Sequence, residues 1–241
     1  VDDGSTDGSL FILQCMQKKD NRIQIITQPN QGSGKARNNA LLRAGGEYVL
    51  FLDGDDYLLD ITALEKMYTA CIEHNVQVCG AYRNCERQGT IIPMGLHRKA
   101  CEGCPLGKEL LYRDYQYDFH YSTYLYQRSM LVENQIFFPD YRRFQDPPFF
   151  VNAMVAAKKF YVVPVELYCF RSGHQNYVFS HLKVNDIVRG IIDLLEISSR
   201  EQLKKLHLLE VSRLNEGYFW HLVQHLTIDN PELLSLLLRA N

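Results

Sequence analysis

Apolar positions along this chain change period several times, and each change marks a predicted element. After an opening dense in turn formers, Asp2-Asp3-Gly4-Ser5-Thr6-Asp7-Gly8-Ser9, the residues Leu10, Phe11, Leu13 and Met16 recur at helical spacing and predict a helix to about Lys19. Ile23-Gln24-Ile25-Ile26 reads as a short β-branched strand, and Ser33 to Leu42 as a helix closed by Gly45-Gly46. Val49-Leu50-Phe51-Leu52 is a continuous apolar run, the pattern of a strand buried on both faces. Ile61 to His74 is amphipathic at helical period, and Val76 to Tyr82 predicts another strand. Such alternation of strand and helix implies a mainly parallel sheet with helices on its faces.

From residue 83 to about 116 the signals weaken, leaving irregular structure with a helix near Leu106-Tyr112. Strict alternation of aromatics from Tyr115 to Tyr121 favours a strand, its rings packed on a sheet face or, alternatively, offered as a stacking platform. Asp146 to Lys158 predicts a helix, and Phe160-Val163 and Leu167-Phe170 predict strands. Beyond Ser180 only helical periodicity remains, near 182–198, 200–226 and 230–240. The organisation expected is therefore a sheet domain over 1–178 and a helical appendage over 179–241. Val1-Asp2-Asp3-Gly4-Ser5 reads as the end of a strand and its turn, so a first strand and helix are expected upstream of residue 1.

Composition narrows the function classes. The 241 residues are 46% hydrophobic and 22% charged with a net charge of -2, ordinary for a water-soluble globular chain and no basis for nucleic-acid binding. No apolar run approaches the ~20 residues of a membrane span, and no signal peptide opens the chain, so the expected location is cytoplasmic. The odd count of 7 cysteines fits free thiols in a reducing compartment. Cys101-Glu102-Gly103-Cys104 is a single Cys-x-x-Cys without the second pair that a zinc ribbon needs.

The apolar run at 49–52 stops in Asp53-Gly54-Asp55-Asp56, at what should be the carboxyl end of a strand, where open α/β sheets bind ligands. Three carboxylates so close repel unless hydrogen bonds or a cation hold them, and hard oxygen donors suit magnesium or manganese. The alternative is a solvated turn that caps the next helix.

Taken together, Val1-Asp2-Asp3-Gly4-Ser5-Thr6-Asp7-Gly8-Ser9, Asn30-Gln31-Gly32, Ala36-Arg37-Asn38 and Gly46 to Asp56 resemble, in order and spacing, the nucleotide-sugar-binding half of the family-2 glycosyltransferases. The similarity extends more weakly to about residue 175. It implies the GT-A fold, Rossmann-like, with the helical segment as a C-terminal addition. It also implies that Asp3 accepts from the imide N–H of a uracil ring, that Arg37 lies near base or diphosphate, and that Asp53 lies near the ribose or sugar. Asp55 would ligate a manganese or magnesium ion shared with both phosphates, and Asp56 would be a helix cap or a supporting partner. The alternatives are a helix N-cap for Asp3 and a surface helix charge for Arg37.

Tyr141-Arg142-Arg143-Phe144-Gln145-Asp146-Pro147-Pro148 resembles the family's acceptor-side Glu-Asp motif. By that resemblance Asp146 is the general base, with Gln145 where the family usually has glutamate; the alternative is a helix cap ahead of Pro147. Arg171-Ser172-Gly173-His174 resembles the family's Tyr-Arg segment, where His174 would meet a phosphate or the metal, or would simply be solvated.

The function implied is metal-dependent transfer of a sugar, UDP-linked by expectation, from a nucleoside diphosphate donor to a hydroxyl of a glycan or lipid-linked glycan, with inversion. The last acceptor class adds an expected peripheral association with the inner face of the membrane; the oligomeric state stays open. Two other readings compete: a haloacid-dehalogenase-type phosphatase with Asp53 as nucleophile, though its motif continues Gly-Thr rather than Asp56-Tyr57, and a donor-binding fragment without turnover.

Overall fold

The computed structural model describes residues 1–95, 107–173 and 178–240. Its centre is a pair of long parallel strands, β3 (Val78–Arg87) and β7 (Lys159–Ser172), joined by the longest ladder of the sheet. The other strands are shorter and share the outer edges of this pair. β6 (Tyr124–Gln127) pairs with β3 at Val78–Gly80, and β4 (Thr90–Gly95) pairs with it at Arg83–Arg87. On the far edge of β7, β5 (Glu109–Leu111) meets Lys159–Tyr161, and β2 (Tyr57–Leu58) meets Tyr168 and Cys169. β1 (Tyr48–Val49) extends β6 to close the order β1-β6-β3-β7-β2.

The sheet is mixed. Parallel pairing holds for the β3–β7 ladder and for the bridge between Asp2 and Thr27, whereas every other ladder among the described residues is antiparallel. The reason is connectivity. A helical crossover brings β7 alongside β3 in the same direction, while β4 returns directly through a two-residue turn whose Gln88 and Gly89 both take positive φ.

Several predicted elements shift. The apolar run at 49–52 is not a doubly buried strand: only Tyr48–Val49 pair, at a sheet edge, and side chains then alternate, Phe51 buried and Leu52 49% exposed. Ile23–Ile26 reduces to hydrogen bonds flanking Thr27, with the Asp2 amide donating to Ile26 O (2.8 Å) and the Gln28 amide to Asp2 O (3.0 Å). The helix expected near Leu106-Tyr112 is instead β5 followed by the short helix α4 (Tyr112–Tyr115). Tyr115 to Tyr121 is not a strand: the chain leaves α4 through left-handed Gln116, and a 3-10 turn at Tyr121–Thr123 leads into β6. The two strands expected at 160–163 and 167–170 are one.

The helices follow the periodicity: α1 (Ser9–Lys19), α2 (Ser33–Arg43), α3 (Ala63–Glu73), a short α5 (Arg128–Glu133) and α6 (Asp146–Ala157). α6 opens on Asp146 with Pro147 and Pro148 in its first turn, where a missing N–H costs no helical bond. Four helices follow the sheet: α7 (His181–Arg200), α8 (Lys204–Ser212), α9 (Phe219–His225) and α10 (Pro231–Ala240), with a π-helical turn at Arg213–Gly217 between α8 and α9. α7 turns Ile187, Ile191 and Leu194 into the same core cluster as Phe149, Phe150 and Met154 of α6. No helix among the described residues is long and apolar enough to cross a membrane. Cys15, Cys71, Cys79, Cys85 and Cys169 are free thiols, while Cys101 and Cys104 lie outside the described residues.

Candidate active site

Phe51 anchors the acid loop from beneath. Its ring lies edge-on to Phe138 (5.2 Å between centroids) and Phe149 (5.4 Å), which stack on each other at 3.9 Å. Two residues on, Asp53 reaches over this aromatic floor. The Tyr121 hydroxyl donates to Asp53 Oδ1 (2.9 Å) and Oδ2 (3.1 Å), and Arg37 Nη2 donates to Oδ1 at 2.6 Å.

Arg37 projects from α2 and joins the two halves of the site. Its Nη2 holds Asp53 while its Nη1 holds Asp146 Oδ1 at 3.2 Å, and its guanidinium carbon lies 4.8 Å from the Tyr121 ring centroid and 5.2 Å from that of Phe138. With 15% of its side chain exposed, this is a desolvated, stacked arginine and not a surface charge. Burial disfavours its charged form, but Tyr121, Asp146 and Asp53 outweigh that and raise its pKa further.

Asp146, at the first residue of α6, is confined on most sides yet keeps 35% of its side chain open. Burial pushes its pKa up, Arg37 pulls it back, Asp53 adds repulsion and Arg143 attracts, for a net value of about 6. The absence of a glutamate at 145 therefore does not leave Asp146 without an acidic neighbour, because Asp53 takes that place. Gln145 is buried and donates to Ser33 Oγ at 3.0 Å, tying the start of α6 to the start of α2.

The other two aspartates of the loop differ. Asp56 accepts from the Tyr168 hydroxyl and from the Arg171 amide (2.9 Å), which fixes the loop to β7. It is a supporting partner and not a helix cap; Asp60 accepts from the Thr62 amide (2.7 Å) ahead of α3. Asp55 stands between these anchored neighbours in the turn. Among the described residues no three acidic, histidine or cysteine side chains converge into a ready cation cage. That donor set fits a hard cation held by one carboxylate together with the phosphates of a ligand, the usual arrangement for magnesium.

Asp3 is separate from this centre. Its Oδ1 accepts from Gln28 Nε2 (2.8 Å) and the Gln31 amide (2.9 Å), and its Oδ2 from the Gly32 amide (2.8 Å). Burial raises its pKa, but these three donors outweigh burial and lower it overall. Asp3 thus shapes the loop that leads into α2, and its Oδ2 keeps an acceptor position beyond those bonds. His174 lies outside the described residues.

Tyr121 and Phe138 are the site residues that sequence reasoning missed. Tyr121 sat in the aromatic stretch, but its alternation with neighbours suggested packing; the clue was a phenol whose O–H must find a partner when buried. Also unforeseen is the part played by the C-terminal helices. Asp186 of α7 accepts from the Arg142 amide (2.8 Å), Asp193 accepts from the Tyr141 hydroxyl (2.8 Å), and Gly190 lies against Phe144. Arg213 stacks over Phe119 (4.4 Å) and Phe144 (5.5 Å) while binding buried Asp118 and Glu210. The loop that delivers Asp146 is therefore held from the C-terminal side.

Comparison with known proteins adds to this geometry. The model of the family described as glycosyl transferase family 2 matches residues 1–138. The chain is 32% identical over 177 residues to the uncharacterized glycosyltransferase EpsJ of Bacillus subtilis, covering 71% of this chain and 51% of that protein. It is 30% identical over 238 residues to a poly(ribitol-phosphate) beta-glucosyltransferase of Bacillus spizizenii, covering 95% of this chain and 36% of that one. Among solved structures, S. aureus TarS 1-349 in complex with UDP-GlcNAc superposes with a TM-score of 0.74 at 22% identity, over 98% of this chain and 68% of that chain. The chain spans about half, or less, of the length of these curated relatives. The mixed sheet flanked by helices, with its helical C-terminal segment, is thus the fold of the TarS structure.

Proposed function

The chain belongs to glycosyl transferase family 2, and on that premise we propose that it moves a sugar from a UDP-linked donor to a hydroxyl of a glycan acceptor, with inversion. One observation carries this reading: Arg37 spans from Asp53 on the acid loop to Asp146 at the start of α6, so the donor and acceptor motifs, 93 residues apart, share one guanidinium. Two relatives support the acceptor class, since their names give poly(ribitol-phosphate) as what they glycosylate. The TarS complexes with UDP-GlcNAc and UDP support a uridine donor.

In this reading Asp3 orders the loop beneath the base and offers its remaining acceptor position to the uracil imide. Asp53, fixed by Tyr121 and Arg37, orients the sugar. Asp55 would hold a manganese or magnesium ion; bound there with the diphosphate, the ion supplies Lewis-acid neutralisation of the leaving group. A mannosyltransferase of the same fold, PcManGT from Pyrobaculum calidifontis, was solved with GDP-Man and Mn2+, which is compatible with this. Asp146, with a pKa of about 6, is ionised at neutral pH and basic enough to take the proton of the attacking hydroxyl. The attacking oxygen forms its bond to the anomeric carbon as the bond to the diphosphate breaks on the opposite side, so no protein nucleophile is needed. Location at the inner membrane face would follow from a lipid-linked acceptor.

The phosphatase reading is not favoured, because both oxygens of Asp53 are engaged by Tyr121 and one also by Arg37, an occupied carboxylate and not a poised nucleophile. Calorimetry of UDP binding with and without manganese, on the unsubstituted chain and on Asp55→Ala, tests the metal assignment. The expected result is metal-dependent binding that Asp55→Ala abolishes; equal metal dependence in both proteins would overturn it.

A further inference from the structure

Arg37, Arg83 and Arg213 are each partly buried and stacked on an aromatic ring, and Arg83 differs from the other two. Arg37 and Arg213 each bind two carboxylates, and both have raised pKa values. Arg83 on β3 has no salt bridge to a carboxylate among the described residues. Its guanidinium carbon lies 4.8 Å from the Phe170 ring centroid, its Nη1 meets the ring nitrogens of His120, and its Nε is buried with no hydrogen-bond partner. Burial lowers its pKa, against weaker support from Tyr168, Cys85, Asp56 and Tyr117. A guanidinium keeps its charge in proteins, so among the described residues this desolvated cation has the Asp56 carboxylate near it but no ion pair that neutralises it directly.

Its position suggests what pairs with it. Arg83 pairs in register with Tyr168, whose hydroxyl donates to Asp56, and His120 directly precedes Tyr121, whose hydroxyl donates to Asp53. Arg83 and His120 thus sit where both tethers of the acid loop begin. His120 is held at φ 74, a left-handed conformation uncommon for a non-glycine residue, which presents its ring to Arg83.

We propose that Arg83 and His120 form an anion subsite beside the acid loop that takes a phosphate group of the substrates, either the donor diphosphate or a phosphodiester of the acceptor. The guanidinium would donate to two phosphate oxygens, and the imidazole, released from Arg83 or protonated, would donate to a third. The proposal rests on the glycosyl-transfer reading for the identity of the ligand, but not for the existence of the site.

The test uses the full chain and Arg83→Gln and Arg83→Lys variants. Calorimetry with inorganic pyrophosphate, UDP, uridine, poly(ribitol phosphate) and a neutral glycan separates the sources. Arg83→Gln should weaken pyrophosphate binding at least tenfold, together with either UDP or poly(ribitol phosphate), while uridine and the neutral glycan bind as before; Arg83→Lys should recover part of the loss. A change in the UDP arm identifies the donor phosphate, and one in the polymer arm identifies the acceptor. As a check that needs no variant, phenylglyoxal labelling of the unsubstituted protein, mapped by mass spectrometry, should show Arg83 protected by pyrophosphate. Unchanged affinities, or labelling of Arg83 that pyrophosphate does not slow, would overturn the subsite. Pyrophosphate carries neither nucleotide nor sugar, so its arm is read even if the chain transfers nothing.

Discussion

Replacing Glu210 with glutamine should make this protein more stable as the pH rises, by an amount set by a single proton. Glu210 and Asp118 are fully buried beside Arg213, whose Nη1 lies 2.6 Å from Glu210 Oε1 and whose Nη2 lies 2.9 Å from Asp118 Oδ1. Two carboxylates against one guanidinium leave an excess negative charge if both ionise, and Glu210 Oε2 is buried with no donor facing it. Burial, with repulsion from Asp118 and against the pull of Arg213, raises the Glu210 pKa to about 8. The native state therefore holds a proton that the unfolded chain releases near pH ~4.3. Between those values the native protein binds more protons than the unfolded one, so stability is lost as pH rises, by about 1.4 kcal/mol per pH unit. Glutamine has no such proton and can still donate to Asp118. Urea unfolding of both proteins at pH 5.5, 6.5 and 7.5 should show Glu210→Gln gaining on the parent by about 2 to 3 kcal/mol across the series. A difference independent of pH would show that Glu210 is ionised in the native state and that the account of this cluster is wrong.

Other expectations concern the site itself. Asp146→Asn should leave UDP-sugar affinity within about twofold but lower transfer by ~10²–10⁴-fold, measured by release of UDP; near-normal turnover would assign the proton elsewhere. In the parent, kcat/KM should fall tenfold per pH unit below about 6, the pKa of Asp146, because the base must be ionised, and the acid limb should vanish in Asp146→Asn. Gly190→Ala would place a Cβ 2.6 Å from Phe144 Cδ1 and 3.0 Å from its carbonyl oxygen, so Phe144 must move. A loss of about 1–3 kcal/mol in urea unfolding is expected, with kcat lowered more than KM; unaltered kcat would separate α7 from the placement of Asp146.

Much of the fold was legible because long helices and central strands declare themselves locally. α2, α3, α6 and α7 follow apolar periodicity, and β7 follows β-branched and aromatic runs, whereas β3 was visible only to Tyr82 because Arg83–Arg87 is mostly polar. Elements that failed to show were decided by distant partners. Tyr115 to Tyr121 alternates like a strand, yet Asp118 in its midst is fully buried against Arg213, 95 residues away, and a strand would compete with that ion pair. The β3–β4 hairpin turns on Gln88-Gly89, whose positive φ values at both positions are usual for Asn-Gly but unusual for glutamine, so no turn signal stood out. The run at 49–52 looked doubly buried because four apolar residues do not reveal that an edge position exposes every second one.

The site divides in the same way. The resemblance to family-2 glycosyltransferases pointed to Asp53, Arg37 and Asp146, but the sequence holds no sign that Arg37 touches both aspartates. The structure anchors the two halves differently. Backbone amides set the acid-loop half: Asp3 accepts from Gln31 and Gly32 ahead of α2, and Asp56 accepts from Arg171 on β7. The half around Asp146 depends on α7 and Arg213, which hold Tyr141, Arg142 and Phe144 just ahead of it. Arg37 is the bridge between the halves, and its two ion pairs are satisfied together only when both loops are in place. A disturbance in the C-terminal helices should therefore reach Asp146 before it reaches the acid loop, so catalysis would fail while donor binding persists. The dependence does not run the other way, because α7 and Arg213 make their contacts with the 141–144 loop without any group of the acid loop.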